Sequence, residues 1–232
     1  MWAAIKQSLR RTLLDALGVQ ARADARSIDL ELQRRSLATT ADYVERHLSR
    51  AQALASRSEL LALGLASARP TPGLICEFGV YKGETINQIA GLVAPRRVFG
   101  FDSFEGLPED WRPGFPKARF SLLGAPPDVL ENVELLKGRF DTTLPAFLAR
   151  HEERFAFVHV DCDLYSSTKT VLELAASRIG AGTVIVFDEY FNFPGWEQHE
   201  FKAFQEFVRA TGARYEYLAY SSRDEQVAVR ML

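Results

Sequence analysis

Between Phe155 and Glu189 the chain runs strand, helix, strand, and both strands end in acids. The apolar run Phe155 to Val160 leads into Asp161-Cys162-Asp163-Leu164-Tyr165. A helical stretch over about Thr168 to Arg178 and the turn Gly180-Ala181-Gly182 follow, and the run Thr183 to Phe187 then ends in Asp188-Glu189. A right-handed crossover of this kind returns the chain parallel to its start. Directly paired parallel strands lie roughly 4.8 Å apart, so both acidic ends share the carboxyl edge of one sheet, where open α/β folds bind ligands. Asp161, Asp163, Asp188 and Glu189 converging there have the geometry of a metal site or of acid/base chemistry. Without a cation such carboxylates repel, and one of them holds a proton instead.

The alternation extends in both directions. Strands are expected at Leu74 to Phe78, Arg97 to Asp102, Val133 to Lys137, Phe155 to Val160 and Thr183 to Phe187, with an antiparallel end from Tyr215 to Tyr220 and Gln226 to Met231. Helices between them predict an α/β fold, a Rossmann-like doubly wound sheet of seven strands. Residues 1–68 carry helical periodicity and no convincing strand, and they end in the breaker cluster Arg69-Pro70-Thr71-Pro72-Gly73. The expected organisation is a helical extension over 1–68, acting as a lid or an oligomer contact, and a cofactor-binding domain over 69–232. The segment Trp111 to Pro127, rich in Pro and Gly, reads as a loop at the same sheet edge, where loops often cover a site.

Composition narrows the classes of partner. A chain of 232 residues with 47% hydrophobic and 25% charged content buries a full core. A net charge of −2 without long runs of Lys and Arg gives no extended nucleic-acid footprint. Cys76 and Cys162 fall within or at the end of strands and form no CxxC pair, which fits a reducing compartment, the cytoplasm. Residues 1–19 lack the continuous apolar core of a signal peptide, and no window approaches the ~18 apolar residues of a membrane span. Trp2, Leu9, Leu13, Leu14 and Leu17 with Lys6, Arg10 and Arg11 make the first helix basic and amphipathic, suited to packing or homo-oligomerisation, or alternatively to a membrane surface.

At the other end of the sheet, Glu77-Phe78-Gly79-Val80-Tyr81-Lys82-Gly83-Glu84-Thr85 runs from a strand into a helix. Gly79 and Gly83 let backbone approach a ligand where a Cβ would collide. The spacing is G-x-x-x-G and not the G-x-G-x-x-G of dinucleotide sites, so a ligand without phosphates fits better. Glu77 is suited to an ammonium group, and Asp102, at the end of the second strand, to both hydroxyls of a ribose: together, an adenosyl amino acid. Gly138 permits close approach after the third strand, and Phe140 either flanks an adenine face or belongs to the core. Thr85, Ser103 and Asp161 complete this candidate cofactor set.

Five ordered segments resemble the macrocin O-methyltransferase (TylF-type) family. They are Glu77-Phe78-Gly79-Val80 with Gly83, Phe101-Asp102-Ser103-Phe104-Glu105-Gly106-Leu107-Pro108, Gly138-Arg139-Phe140-Asp141-Thr142-Thr143-Leu144-Pro145, Val158 to Lys169, and Phe187-Asp188-Glu189-Tyr190. The resemblance spans roughly residues 70–190. It implies a class I S-adenosylmethionine methyltransferase fold, a Mg²⁺ ion and methylation of a sugar hydroxyl on a small-molecule glycoside. It maps Asp161 and Asp188 onto metal ligands, Asp163 onto the general base, and Glu189 onto a ligand position where the family has a second aspartate.

That chemistry is consistent with the residues. A sugar hydroxyl is a poor nucleophile until it loses its proton; a carboxylate takes the proton and a divalent ion stabilises the developing alkoxide. The candidate ligands are hard oxygens, which suit Mg²⁺. Each acid also has a structural alternative: Asp163 as a helix cap before Ser166-Ser167-Thr168, and Asp188-Glu189 as a solvated strand end. His159, alternating inward, is expected as a hydrogen-bonded core residue. Tyr165, Tyr190 and Trp196 read either as apolar walls for a sugar ring or as core. His199 reads as an acceptor-binding or proton-transfer group, or as a surface residue. The competing functions are a nicotinamide-dependent oxidoreductase, which the glycine spacing disfavours, and a catalytically silent binding or scaffold protein for glycan or secondary-metabolite assembly.

Overall fold

The computed structural model describes residues 24–232 together with Trp2, Lys6, Gln7, Arg10, Thr12 and Leu14. The amphipathic face expected of residues 1–19 therefore lies largely outside the described residues. The sheet comprises β1 (Gln52–Leu54), β2 (Leu74–Phe78), β3 (Val98–Asp102), β4 (Val133–Lys137), β5 (Phe155–Val160), β6 (Val184–Phe187), β7 (Tyr215–Ser221) and β8 (Val227–Met231). Their spatial order is β1-β7-β8-β6-β5-β2-β3-β4. Strand β8 is antiparallel to β6 and β7, and the remaining pairs are parallel. Over residues 25–232 the α-helices are α1 (Ile28–His47), α2 (Arg57–Ala68), α3 (Glu84–Val93), α4 (Phe140–Leu148), α5 (Tyr165–Ala175) and α6 (Glu200–Thr211).

The doubly wound sheet is as expected, and the expected strands lie within one residue of their observed bounds. The count is not: an eighth strand, β1, sits in the segment read as purely helical and pairs parallel with β7 through Gln52 to Leu54. Its Gln-Ala-Leu sequence has neither alternation nor β-branched residues, so the strand exists by pairing at the sheet edge and carries no local signal. Helix α5 begins at Tyr165, earlier than expected.

Strands β2, β5 and β6 are buried along their whole length, which is why they read as near-continuous apolar runs. One sheet face, with Cys76, Phe78, Phe101, Val158, Val160 and Phe187, packs against α4, α5 and α6. The other, with Ile75, Phe157, Val184 and Val186, packs against α2 and α3. A Cβ on Gly64 of α2 would lie 3.0 Å from Val186 Cγ2, so this helix sits close on the sheet. Helix α1 docks at the far edge: Thr40 Oγ1 accepts from the Asn192 backbone N–H at 2.9 Å, and Tyr43 and Tyr217 share a hydroxyl contact of 2.6 Å.

The order reverses between β5 and β2, the switch point at which chain segments leave to opposite sides and open a crevice. The register continues past the strand ends. Asp161 N–H donates to Phe78 O and Asp188 N–H donates to Val160 O, each at 2.9 Å, so the two aspartates stand side by side at the rim.

Candidate active site

A cavity of about 650 Å³ opens at that rim, within the size range of small-molecule sites. Gly79, Thr85, Asp102, Ser103, Gly138, Phe140, Asp161, Asp163, Asp188 and Glu189 line it. The β3–β4 connection supplies a further wall through residues such as Leu107, Lys117 and Phe120, in line with the covering loop expected there. This connection is pinned by Phe104 O, which accepts from Leu122 N–H and Gly124 N–H, and by Arg112, whose guanidinium pairs with Glu225 at 3.1 Å.

On the β2–β3–β4 side, backbone geometry sets the shape. Gly79 has φ 94°, and a Cβ there would fall 1.6 Å from the carbonyl oxygen of Asp161. Glycine is thus required by the neighbouring strand end as well as suited to ligand approach. Asp102 Oδ2 accepts from the N–H groups of Val80 and Tyr81, and Oδ1 from that of Phe104, all at 2.8 Å. Its carboxylate ties the glycine loop to β3, leaving capacity for about one further donor. Phe140 lines the cavity and also packs edge-on against Phe78 with ring centroids 5.5 Å apart.

Glu77 departs from expectation. It is fully buried on the α3 side of β2, accepting from Thr85 Oγ1 at 3.0 Å and pairing with His159 Nδ1 at 3.0 Å, and it does not line the cavity. A strand residue facing a helix cannot also face the crevice beyond the strand's end. Gly83, with φ 82° at the start of α3, likewise lies behind the wall.

On the β5–β6 side, charge sets the arrangement. The His159 imidazole joins Glu77 to Asp188, with Nε2 3.5 Å from Asp188 Oδ1 but without hydrogen-bond alignment. Burial pulls His159 down, yet the Asp188 and Glu77 carboxylates outweigh it and raise the imidazole to about 10. Burial also pushes Asp188 up, but His159 and Arg57 hold it below its ordinary value. Asp161 is pushed up by burial and by the neighbouring Asp188 charge. Arg57, the first residue of α2, donates to Asp188 Oδ2 at 3.1 Å and lies 3.8 Å from Asp161 Oδ2.

Asp163 occupies a three-residue turn. Its φ is 62°, and Leu164 N–H bonds back to Cys162 O at 2.6 Å, the left-handed form of the γ-turn, which is rare and strained. Such strain at a cavity-lining acid belongs to functional sites more than to helix caps, and Asp163 makes no side-chain cap to α5. Burial and the Asp188 charge push its carboxyl up to about 7, against the pull of Arg112.

A divalent cation can be tested against these donors. Among the described residues, His159, Asp161 and Asp188 offer atoms within 4.8 Å of one another. His159 is fully buried, held by Glu77 through Nδ1 and not part of the cavity lining, which agrees with its expected core role. Two adjacent carboxylates then remain, with Glu189 lining the same cavity and its Oε2 buried without a hydrogen-bond partner. The donor chemistry fits a hard cation such as Mg²⁺. Glu189, expected in the ligand set, is not in the tight group: its backbone N–H is held by Glu200 Oε2 at 3.1 Å, so Glu200 positions it.

The four expected acceptor contacts fall elsewhere. Tyr190 is fully buried and bonds hydroxyl to hydroxyl with Tyr217 at 2.8 Å; Trp196 is buried and donates Nε1–H to Thr39 Oγ1 at 3.1 Å. Both anchor α1. The Tyr165 hydroxyl donates to Glu206 at 2.7 Å, along the α5–α6 surface. His199 packs against Phe193 and Trp111. None of the four lines the cavity. Arg57, Arg112, Glu200 and Glu225, absent from the sequence-derived set, come from segments without a motif, and only the fold brings them in.

Residues 76–190 match the model of a family described as a methyltransferase domain. The doubly wound sheet with the cavity at its switch point is of the Rossmann-like class. Among curated proteins, the chain is 32% identical over 142 residues to 8-demethyl-8-(2,3-dimethoxy-alpha-L-rhamnosyl)-tetracenomycin-C 4'-O-methyltransferase of Streptomyces olivaceus, covering 51% of this chain and 53% of that protein. It is 27% identical over 146 residues to demethyldecarbamoylnovobiocin O-methyltransferase of Streptomyces niveus, covering 53% and 55%. The chain thus spans about half the length of these relatives. The solved structure of CalS11, a calicheamicin methyltransferase, shares the fold with a TM-score of 0.61 at 23% identity, over 88% of this chain and 93% of that one.

Proposed function

We propose that this protein is an S-adenosylmethionine- and Mg²⁺-dependent O-methyltransferase of the macrocin type that acts on a hydroxyl of a sugar, glycoside or similar small natural product. The observation that carries this reading is one cavity in which the glycine loop and Asp102 face Asp161, Asp163 and Asp188. The relatives support the acceptor class, since one is named for a rhamnosyl compound.

Gly79, Thr85, Asp102, Ser103, Gly138 and Phe140 bind the cofactor, Gly79 and Gly138 by backbone approach. Asp161 and Asp188, with Glu189 beside them, hold the metal. When bound, S-adenosylmethionine supplies a methyl group on a sulfonium that leaves as a neutral thioether, and Mg²⁺ supplies positive charge beside the acceptor oxygen. Asp163 accepts the hydroxyl proton as the oxygen–methyl bond forms, and the strained turn fixes its carboxylate over the cavity. Leu107 and Phe120 give apolar surface for the acceptor, and the loop they belong to limits water.

Helix α1 acts as the extension, whereas β1 and α2, inside the segment expected to be an extension, belong to the layers of the cofactor-binding domain and bring Arg57 to its site. Self-association is supported by Ile28, Leu30, Leu32 and Leu37 exposed on α1. A cytoplasmic setting is supported by two free, buried cysteines; among the described residues no helix is long and apolar enough to cross a membrane.

Calorimetric titration with S-adenosylhomocysteine, with and without Mg²⁺, tests the reading. Saturable binding is expected. A folded sample that binds nothing in either condition overturns it in favour of the silent binding protein. Turnover that survives exhaustive chelation removes the metal alone.

A further inference from the structure

Both oxygens of Asp188 face groups that the chain itself supplies. Oδ1 lies 3.5 Å from Nε2 of His159; Oδ2 accepts from Nη1 of Arg57 at 3.1 Å and from Nε2 of Gln226 at 3.4 Å. The same Arg57 nitrogen stands 3.8 Å from Oδ2 of Asp161. One guanidinium therefore bridges the two carboxylates assigned to the metal. A cation entering between them meets a positive charge at contact distance, where like charges in a partly buried setting repel strongly.

His159 and Arg57 differ in freedom. His159 is fully buried, part of β5 and anchored through Nδ1 on Glu77, so it has nowhere to go. Arg57 has a side chain 38% exposed, reaches in from the first turn of α2, and can return its head to water while its stem stays on the protein surface.

We propose that Arg57 is an exchangeable counter-cation of the acidic pair, bridging Asp161 and Asp188 in the metal-free protein and swinging out to solvent when a divalent ion binds. This rests on the metal assignment above and adds a residue from outside the matched domain to it. The bridge prevents mutual repulsion of the two acids before loading, and it sets the metal affinity below what the carboxylates alone would give. A guanidinium in place about nine-tenths of the time would lower the apparent affinity about tenfold.

The test uses the full chain and Mn²⁺ as the probe, with free ion counted by electron paramagnetic resonance. Arg57→Gln is expected to bind Mn²⁺ about tenfold more tightly than the parent, and Arg57→Lys, which keeps the charge, within about threefold of it. Saturable binding by the parent with equal or weaker binding by Arg57→Gln overturns the exchange and leaves the metal site standing. No saturable binding by either folded protein overturns both. A second readout needs no variant: arginine-selective dicarbonyl labelling of the parent, mapped by mass spectrometry, is expected to rise at Arg57 on Mn²⁺ saturation, and a fall or no change overturns the proposal.

Discussion

On the β2–β3–β4 side of the cavity the loops hold their shape through glycines at positive φ and through one carboxylate that collects backbone N–H groups. On the β5–β6 side the shape is held by opposed charges, with His159 and Arg57 set among Glu77, Asp161 and Asp188. The first half is intolerant of a Cβ and the second of a change in charge. The first is local in sequence, because a loop and the strand before it suffice. The second is assembled from α2, β2, β5 and β6, and it exists only once the sheet has closed.

The largest effect is expected where charge meets chemistry. Asparagine adopts positive φ readily, so Asp163→Asn keeps the turn while removing the base. Turnover is expected to fall by about 10²–10⁴ with S-adenosylhomocysteine affinity unchanged. A variant with the parent's rate would remove Asp163 from the mechanism and return it to a structural role.

Gly79→Ala makes the converse break, a change of shape without charge. The new Cβ meets the Asp161 carbonyl at 1.6 Å in a conformation that L-residues avoid. The expected cost is about 3 kcal/mol, a fall in Tm of about 6–12 °C. Because the clash is with Asp161, Mn²⁺ binding and S-adenosylhomocysteine binding are expected to weaken together. Loss of cofactor binding alone would show that the two halves are not mechanically joined at this point.

This difference in construction also explains what was legible beforehand. Strands β2 to β8 announce themselves as buried apolar runs between turns, and the ends of β3, β5 and β6 carry the acids that the fold brings together, so the sheet and the position of Asp102, Asp161, Asp163 and Asp188 follow from spacing. Spacing tells which residue ends a strand but not which face it takes, and Glu77 points under α3, to Thr85 and His159. Strand β1 was invisible because Gln52 to Leu54 acquire their conformation from β7. Tyr190 and Trp196 read equally as acceptor walls or as core, because neither the partner of Tyr190 on β7 nor that of Trp196 on α1 is near them in sequence. Arg57 had no motif at all.

A smaller effect separates shape from charge within the first half. Asp102→Asn keeps the size of the side chain but replaces one acceptor oxygen by an NH₂ group. Oδ2 accepts two N–H bonds and Oδ1 one, so whichever way the amide turns, at least one backbone N–H faces a donor. The expected loss is about 1–3 kcal/mol in stability, with weaker S-adenosylhomocysteine binding read by calorimetry. Unchanged stability with lost binding would mean that the carboxylate serves the ligand and not the loop.

The smallest expected effect lies outside both halves and guards the comparison itself. If Trp196 holds α1 and does not touch the acceptor, Trp196→Phe removes one hydrogen bond, from Nε1–H to Thr39 Oγ1, and keeps an aromatic ring against Tyr43 and Phe201. Thr39 Oγ1 also donates to Ser36 O, so its hydroxyl is not left without a partner. The cost is expected to be about 1 kcal/mol, a fall in Tm of about 2–4 °C, with KM for the acceptor unchanged. A rise in KM at unchanged Tm would bring Trp196 into the acceptor site. The loop that carries it would then have to move toward the cavity during turnover, and α1, which is pinned on that loop through Thr39 and Thr40, would have to move with it.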